Sequence, residues 1–476
     1  MDNCILLRYG EVGLKSNRTR PFFERKYLLA IKDALKRNYI DDFKIDNLGG
    51  RFVIYTNKVN DASEVLIRVS GIQSISPAYS FKFSSKEDLI KKVKKASEKL
   101  VSDKIFSISI RRVGKHDFNS IDLTKEIGSS IYNLSKGVNL KNPDVAIHLE
   151  IRKDDCFLFT KIIDGVGGLP TGISDKVLCL FSGGIDSPVA AFEMMKRGSK
   201  IDFLFVNIMD EKLLYDISKI YNFLITKYCF GYEPRIYVVD GKKIIEQIKK
   251  DVESSLRQIA YKIALYKISE EIIKESKHLA IVTGEALAQK SSQTLESLLF
   301  IEKQSSVHVL RPLICFDKID IMKKARFLGT FSMSEKIKEY CNLSSGPVTT
   351  APKKNDLNKI TLSQELIVSA VKNMIVTKGI LDVKNVKPAC LECSSEIVSV
   401  DIRSVEIQKK IPLKTSLNIP YSKIWDHLDE FEKNNSYLFV CEFGVLSENV
   451  AFALKKKGVN AAGISVRDFE NYFKKK

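Results

Sequence analysis

A short apolar run, Val177-Leu178-Cys179-Leu180-Phe181, passes directly into Ser182-Gly183-Gly184-Ile185-Asp186-Ser187-Pro188. An apolar segment of this length bounded by turn residues reads as a buried strand, and Pro188 suits the first turn of a helix, so the chain must go strand, tight loop, helix. The unit repeats. Further apolar runs at 203–207, 235–239, 278–283 and 308–310 alternate with helical patterns, which predicts a parallel, doubly wound sheet. In such a sheet ligands sit beyond the carboxyl ends of the strands, where Ser182, Asn207 and Gly284 fall. Two adjacent glycines let backbone N–H groups approach an anion, and the helix behind them adds a favourable dipole, so the loop is shaped for phosphate. No lysine follows the glycines, so this is not the GxxxxGK[ST] loop. A strand-to-helix turn whose glycines serve packing alone is the alternative.

The run SGGIDS resembles the PP-loop of ATP pyrophosphatases, which cleave ATP to AMP and pyrophosphate. The resemblance implies ATP binding by Leu180, Phe181, Ser182, Gly183, Gly184, Ile185 and Ser187, with Asp186 on Mg2+. At the end of the fourth run, residues 283–295 bring Gly284, Gln289, Ser291, Ser292 and Gln293 toward the same loop. There Gly284 permits close backbone approach, and Gln289 and Gln293 can read a polar edge of nucleotide or base; capping of a helix by Ser291 and Ser292 is the plainer alternative. Arg257, on a helix predicted over 255–273, either faces the phosphates or is a surface arginine.

The 476 residues exceed one core and suggest three or four domains. A net charge of +18 with a pI near 9.2 favours a polyanionic partner, although a basic protein without nucleic acid has the same composition. No run approaches membrane-spanning length, and the acidic opening Met1-Asp2-Asn3 does not read as a signal peptide, so a cytoplasmic protein without a membrane partner is expected. Nine irregularly spaced cysteines argue against a disulfide framework.

Before the glycine-rich joint at 165–172, strand and helix patterns describe a small α+β unit. A lysine-rich helix over 85–100 then leads to a strand at 105–110. The latter runs into Arg111-Arg112-Val113-Gly114-Lys115-His116-Asp117-Phe118, read as one loop whose Arg111, Arg112, Lys115 and His116 track a phosphate backbone while Phe118 stacks on a base, the alternative being a loop that meets only solvent. A helix over 122–134 and a hairpin turning at Lys153-Asp154-Asp155 follow. This order resembles a THUMP domain, an RNA-binding module. A connector ending at Lys387-Pro388 opens the last domain, in which a strand delivers Cys441 to the loop Cys441-Glu442-Phe443-Gly444-Val445-Leu446-Ser447 before a helix. A cysteine there meets the conditions for a reactive thiolate, or else is a buried packing residue. The CxxGxxS spacing, with Asp401 and Arg403 upstream, resembles a rhodanese domain. Cys390-Leu391-Glu392-Cys393 lacks the second pair that a zinc site needs.

Arg8-Tyr9-Gly10-Glu11-Val12-Gly13-Leu14-Lys15, the 283–295 stretch and Arg311-Pro312-Leu313 with Lys318 resemble tRNA 4-thiouridine synthetases of the rhodanese-bearing form. The fold expected is multidomain α+β and α/β: a ferredoxin-like unit over 1–60, THUMP over 61–165, a PP-loop domain over 172–385 and a rhodanese-like domain over 388–476. The resemblance implies a tRNA uracil 4-sulfurtransferase using ATP and Mg2+, with a persulfide on Cys441 and a transient disulfide between Cys341 and Cys441. It also implies a cysteine desulfurase as donor and a reductant, with a thiazole-pathway sulfur carrier and a homodimer left open. Two other classes stay open: a sulfur carrier for thiamin thiazole synthesis without obligatory tRNA chemistry, and a PP-loop ligase acting on a small substrate.

Overall fold

The computed structural model describes residues 1–16, 18–209, 211–337, 343, 348–383, 397–442 and 444–473. These form two compact units, 1–173 and 174–476. In the first, β1 (Asp2–Tyr9), α1 (Arg20–Arg37), β2 (Lys44–Asn47), β3 (Phe52–Tyr55), α2 (Val59–Leu66) and β4 (Ile72–Lys82) come before α3 (Lys86–Val101) and β5 (Ile105–Val113). Then follow α4 (Ser120–Tyr132), β6 (Gly137–Val138), β7 (Val145–Arg152), β8 (Asp155–Phe159) and β9 (Ile163–Asp164). Helical spacing buries Tyr27, Ala30, Ile31, Ala34 and Leu35 on α1. Ser85 caps α3 by accepting from the Asp88 N–H, and Leu89, Val93 and Val101 face the core while the lysines stay in water. Strand order is β2-β3-β1-β4-β8-β7-β5-β6, with β9 also on β4. The eleven-residue β4 pairs with β1 on one edge and β8 on the other, so one continuous sheet runs through both halves.

In the second unit, β10 (Lys176–Leu180), α5 (Asp186–Lys196), β11 (Lys200–Asn207), α6 (Glu211–Tyr228), β12 (Arg235–Asp240), α7 (Lys242–Asp251) and α8 (Arg257–Glu275) alternate as expected. The chain goes on through β13 (Ala280–Val282), α9 (Leu295–Glu302), β14 (His308–Leu310), α10 (Lys318–Leu328), α11 (Phe331–Ser334), α12 (Gln364–Lys372) and β15 (Ile375–Lys378). The order β14-β13-β10-β11-β12-β15 reverses direction at β10, which makes the crevice between the ends of β10 and β13 the natural ligand position. The expected all-parallel order fails at one edge. The sheet is not wholly parallel, because β15 adds antiparallel to β12 in the stretch read as a connector. Isoleucines of α7 and α8 pack on Leu178, Leu204, Val239 and Ile281 to form the core of this sheet.

The remaining residues of this unit form β16 (Ile397–Asp401), α13 (Val405–Lys410), β17 (Leu417–Asn418), α14 (Tyr421–Ile424), β18 (Ser436–Cys441), α15 (Val445–Lys456), β19 (Asn460–Ser465) and α16 (Val466–Phe473). The sheet β17-β16-β18-β19 is parallel throughout, over a core that includes Val400, Phe439, Val450 and Leu454. None of the helices among the described residues is long and apolar enough to cross a membrane.

Candidate active site

At the end of β10, Gly183 adopts φ +69°, and a Cβ there would stand 2.2 Å from Ile217 Cδ1. Only glycine therefore gives this loop its path. Ser182 is tied to the helix start by its N–H to Ser187 Oγ (3.2 Å), and Gly184 N–H reaches Ser182 Oγ (3.4 Å). From the neighbouring strand, Gly284 comes so close that a Cβ would meet Asp186 C and Ser187 N at 3.0 Å. The carboxylate of Asp186 accepts from Lys318 Nζ (2.6 Å) on α10 and Gln289 Nε2 (3.0 Å), which joins the glycine loop to the 283–295 stretch, as the sequence reading expected, and to a lysine that it had not placed there.

Beside this loop lies a cavity of about 550 Å³, a size suited to a nucleotide-scale ligand. Leu180, Phe181, Ser182, Gly184, Asp186, Ser187, Gly284 and Gln293 line it; Leu204, Val206, Leu265 and Ile337 supply apolar wall. Gly183, Ile185 and Asn207 shape the neighbourhood without lining the cavity: Asn207 Oδ1 accepts from Met209 N (3.1 Å). Ser291 and Ser292 also face the cavity; the helix cap that was their alternative falls to Thr294, which accepts from Ser297 N–H.

Arg257 does not face the cavity, which corrects the phosphate-facing alternative. Its guanidinium donates to the carbonyls of Lys249, Val252 and Leu343, closing the entry to α8. The cation on this helix that does line the cavity is Lys262, which the sequence reading missed. A signal was present, since Gln258, Tyr261, Lys262 and Leu265 stand at i, i+3, i+4 and i+7 and all four line the wall. Lys262 Nζ lies 3.2 Å from Glu285 Oε1, while Glu285 Oε2 takes Arg311 Nε (3.0 Å) and Thr283 Oγ1 (2.9 Å). Burial of Glu285, 1% exposed, works against its charge, but Lys262 and Arg311 outweigh that and hold the carboxyl below its ordinary range. Gln293 lines the cavity, and its Oε1 is buried without a hydrogen-bond partner among the described residues.

In the last sheet, Cys441 ends β18 and is 3% exposed. Its Sγ receives the Ser447 N–H (3.4 Å) and lies 3.3 Å from Ser447 Oγ, whose own proton goes to Ile464 O (3.0 Å). Gly463 lets the start of α15 rest on β19, for a Cβ there would stand 2.2 Å from Glu448 N. Arg403 is locked on Asp401 by Nη2–Oδ2 at 2.6 Å and Nε–Oδ1 at 2.9 Å, a buried pair that also binds Ile411 O. Cys341, Cys390 and Cys393 lie outside the described residues.

In the first unit the basic segment is not one loop. Arg111 and Arg112 are residues of β5, so they point to opposite faces; only Lys115 and His116 follow the strand. Phe118 does not stand free for a base, because it packs against His116 (5.2 Å) and under Arg112 (5.8 Å) at the edge of the helical core. A denser cationic group lies elsewhere. Arg51 and Arg152 pair with the buried Glu150 at 3.2 and 2.7 Å, and Arg8 sits 4.9 Å over the Phe159 ring. Burial and the nearby charges of Arg51, Arg111 and Arg152 lower the Arg8 guanidinium to about 10, although Glu150 opposes them. Sequence positions 8, 51, 111 and 152 gave no sign of this cluster.

Comparison with known proteins matches residues 172–366 to the family described as thiamine biosynthesis protein (ThiI), 83–161 to the THUMP domain and 4–76 to the ThiI ferredoxin-like domain. A tRNA sulfurtransferase of Thermoplasma volcanium is 33% identical over 467 residues, covering 96% of this chain and 94% of its own. The chain belongs to the tRNA sulfurtransferase family. It is accordingly an enzyme. A probable tRNA sulfurtransferase of Sulfurisphaera tokodaii is 38% identical over 345 residues, covering 72% of this chain and 90% of its own. Among solved structures, a 4-thiouridine synthetase in complex with RNA and bound ATP superposes with a TM-score of 0.65 at 27% identity, over 79% of this chain and 100% of that one.

Proposed function

We propose that this tRNA sulfurtransferase is a cytoplasmic tRNA uracil 4-sulfurtransferase, which replaces O4 of a tRNA uridine by sulfur at the expense of ATP. The observation that carries the reading is the cavity in which the glycine loop, Lys262, Gly284 and Gln293 converge, within a family whose members are named tRNA sulfurtransferase. Uridine O4 is a poor leaving group. Transfer of AMP to it makes displacement at C4 feasible, with pyrophosphate held by the N–H groups of residues 182–187 and by Lys262. Gln293, on the cavity wall, is assigned to a polar edge of adenine. The donor set fits magnesium brought by the nucleotide rather than a site built by protein, since the loop offers one carboxylate, Asp186, already paired with Lys318. Magnesium would neutralise phosphate charge there; Asp186 would hold it.

The last domain is read as rhodanese-like, with Cys441 as persulfide carrier. The terminal sulfur of Cys441–S–S⁻ attacks C4 and AMP leaves. A second thiolate, assigned to Cys341 by its position in the sequence, then attacks Cys441 Sγ, breaks the S–S bond and leaves sulfur on the uridine. The Cys341–Cys441 disulfide is returned to thiols by a reductant, and a cysteine desulfurase supplies the next sulfur. RNA phosphates are assigned to the Arg8, Arg51, Arg111 and Arg152 group, and separately to Arg112, Lys115 and His116. The description of the family matched over 172–366 favours a second outlet, sulfur for the thiamin thiazole. The test is pyrophosphate release: the account expects it to require tRNA transcript, whereas release with a small acid or amide and no tRNA would contradict it.

A further inference from the structure

Two lysines of the ATP-binding domain grip one carboxylate of the cysteine-bearing domain. Lys219 Nζ, on α6, lies 2.6 Å from Glu448 Oε1, and Lys336 Nζ lies 3.0 Å from Glu448 Oε2. The first pair is largely withdrawn from water, with side chains 17% and 24% exposed. Burial disfavours charge on both partners, but the Glu448 carboxylate, with Tyr215 and Asp216, raises the Lys219 ammonium, and Lys219 with Lys336 lowers the Glu448 carboxyl. Around this centre Tyr215 OH donates to Asp468 Oδ2 (2.9 Å) on α16, and Ser332 donates to Asn449 of α15. The Lys219 ammonium also rests 4.4 Å over the Tyr215 ring.

What gives the grip a meaning is the company each member keeps. Ile217 and Ile337, whose Cδ1 atoms stand where a Gly183 Cβ would fall, are two residues before Lys219 and one after Lys336. Glu448 directly follows Ser447, the residue whose N–H and hydroxyl meet the Cys441 sulfur. The segments that support the anion loop are thus the segments that clamp the first turn of the cysteine helix. A rigid coupling of this kind fixes where one loop stands relative to the other.

We infer that Glu448, Lys219 and Lys336 are positioning residues for sulfur transfer, an ionic clamp that seats the Cys441 loop on the ATP-binding domain. The inference rests on the proposed sulfur route through Cys441. Glu448 then matters neither for loading sulfur nor for splitting ATP, only for bringing the two together.

The full chain bearing Glu448→Lys tests this, beside the triple exchange Lys219→Glu, Lys336→Glu, Glu448→Lys and the milder Lys336→Glu. Three quantities are read: persulfide on Cys441 by mass analysis after incubation with cysteine desulfurase and L-cysteine, tRNA-dependent pyrophosphate release, and single-turnover formation of 4-thiouridine. The clamp predicts normal loading and pyrophosphate release in Glu448→Lys, thiolation slowed about tenfold or more, a smaller loss in Lys336→Glu and recovery in the triple exchange. Unchanged thiolation in Glu448→Lys overturns the inference. So does a loss of loading that the triple exchange leaves unrepaired, since the carboxylate would then serve the fold of its own domain. Normal thiolation by Cys441→Ala would instead remove the sulfur route itself, an outcome read independently of the clamp.

Discussion

Replacing Gly183 by alanine probes the loop through a clash that the structure specifies atom by atom. The new methyl would lie 2.2 Å from Ile217 Cδ1 and 2.8 Å from Ile337 Cδ1, at a backbone φ of +69°. The left-handed backbone costs a residue with a Cβ about 1–2 kcal/mol. Displacing the buried Ile217 from a filled core costs about 1–3 kcal/mol more. Together they destabilise the loop by roughly 2–5 kcal/mol, and ATP affinity falls about tenfold or further because its N–H groups turn from the phosphates. Ile217→Val removes the offending Cδ1, and the next atom, Cγ1, stands 3.5 Å away, an ordinary contact. By itself this change costs about 0.5–1.5 kcal/mol. Combined with Gly183→Ala it should recover part of the loss, while φ strain and Ile337 keep the rest. Calorimetric unfolding and ATP titration of the four proteins read the cycle. Additive losses, or a Gly183→Ala protein that binds ATP like the parent, would refute the reasoning.

Lys262→Met should weaken ATP binding about tenfold or more, by removing the charge-assisted contact to phosphate, whereas Arg257→Met should leave ATP affinity near that of the parent; isothermal titration distinguishes them. Glu285→Gln leaves Lys262 facing an amide and should cost about 3 kcal/mol, the lower end for a broken buried pair, because Lys262 can reach water. The Glu285 carboxyl is depressed in the folded protein, so its contribution is present above the ordinary glutamate value and lost as pH falls through the folded one. The stability gap between parent and Glu285→Gln should therefore narrow below about pH 4, and melting curves across acid pH check it. Arg403→Met strips a buried carboxylate of its partner and should destabilise the last domain by about 3–5 kcal/mol, read by proteolysis of that domain.

Much of the ATP-binding domain was legible because its signals are local. An apolar run followed by two glycines states a strand and its turn, and Gly284 sits one strand away by the ordinary logic of a doubly wound sheet. Legibility failed where a residue's facing depends on tertiary context. Arg257 and Lys262 share one helix, five residues apart; helical spacing groups Lys262 with Gln258, Tyr261 and Leu265, but nothing in it says that this stripe faces the cavity. The antiparallel β15 is four residues with three of them exposed, so it carries no burial pattern to read. In the first unit, β5 continues through Arg111 and Arg112 because pairing with β7 extends to Val113, a partner that charge content alone conceals. The arginines around Glu150 converge only when four separated segments share a sheet.

The full chain, incubated with ATP, magnesium, unmodified tRNA transcript, cysteine desulfurase and L-cysteine, is followed by mass analysis of the digested tRNA. Exchange of one oxygen for sulfur in a single uridine, dependent on ATP and abolished by Cys441→Ala, is the predicted result. Loaded Cys441 and intact ATP binding without any sulfur in the tRNA would contradict it.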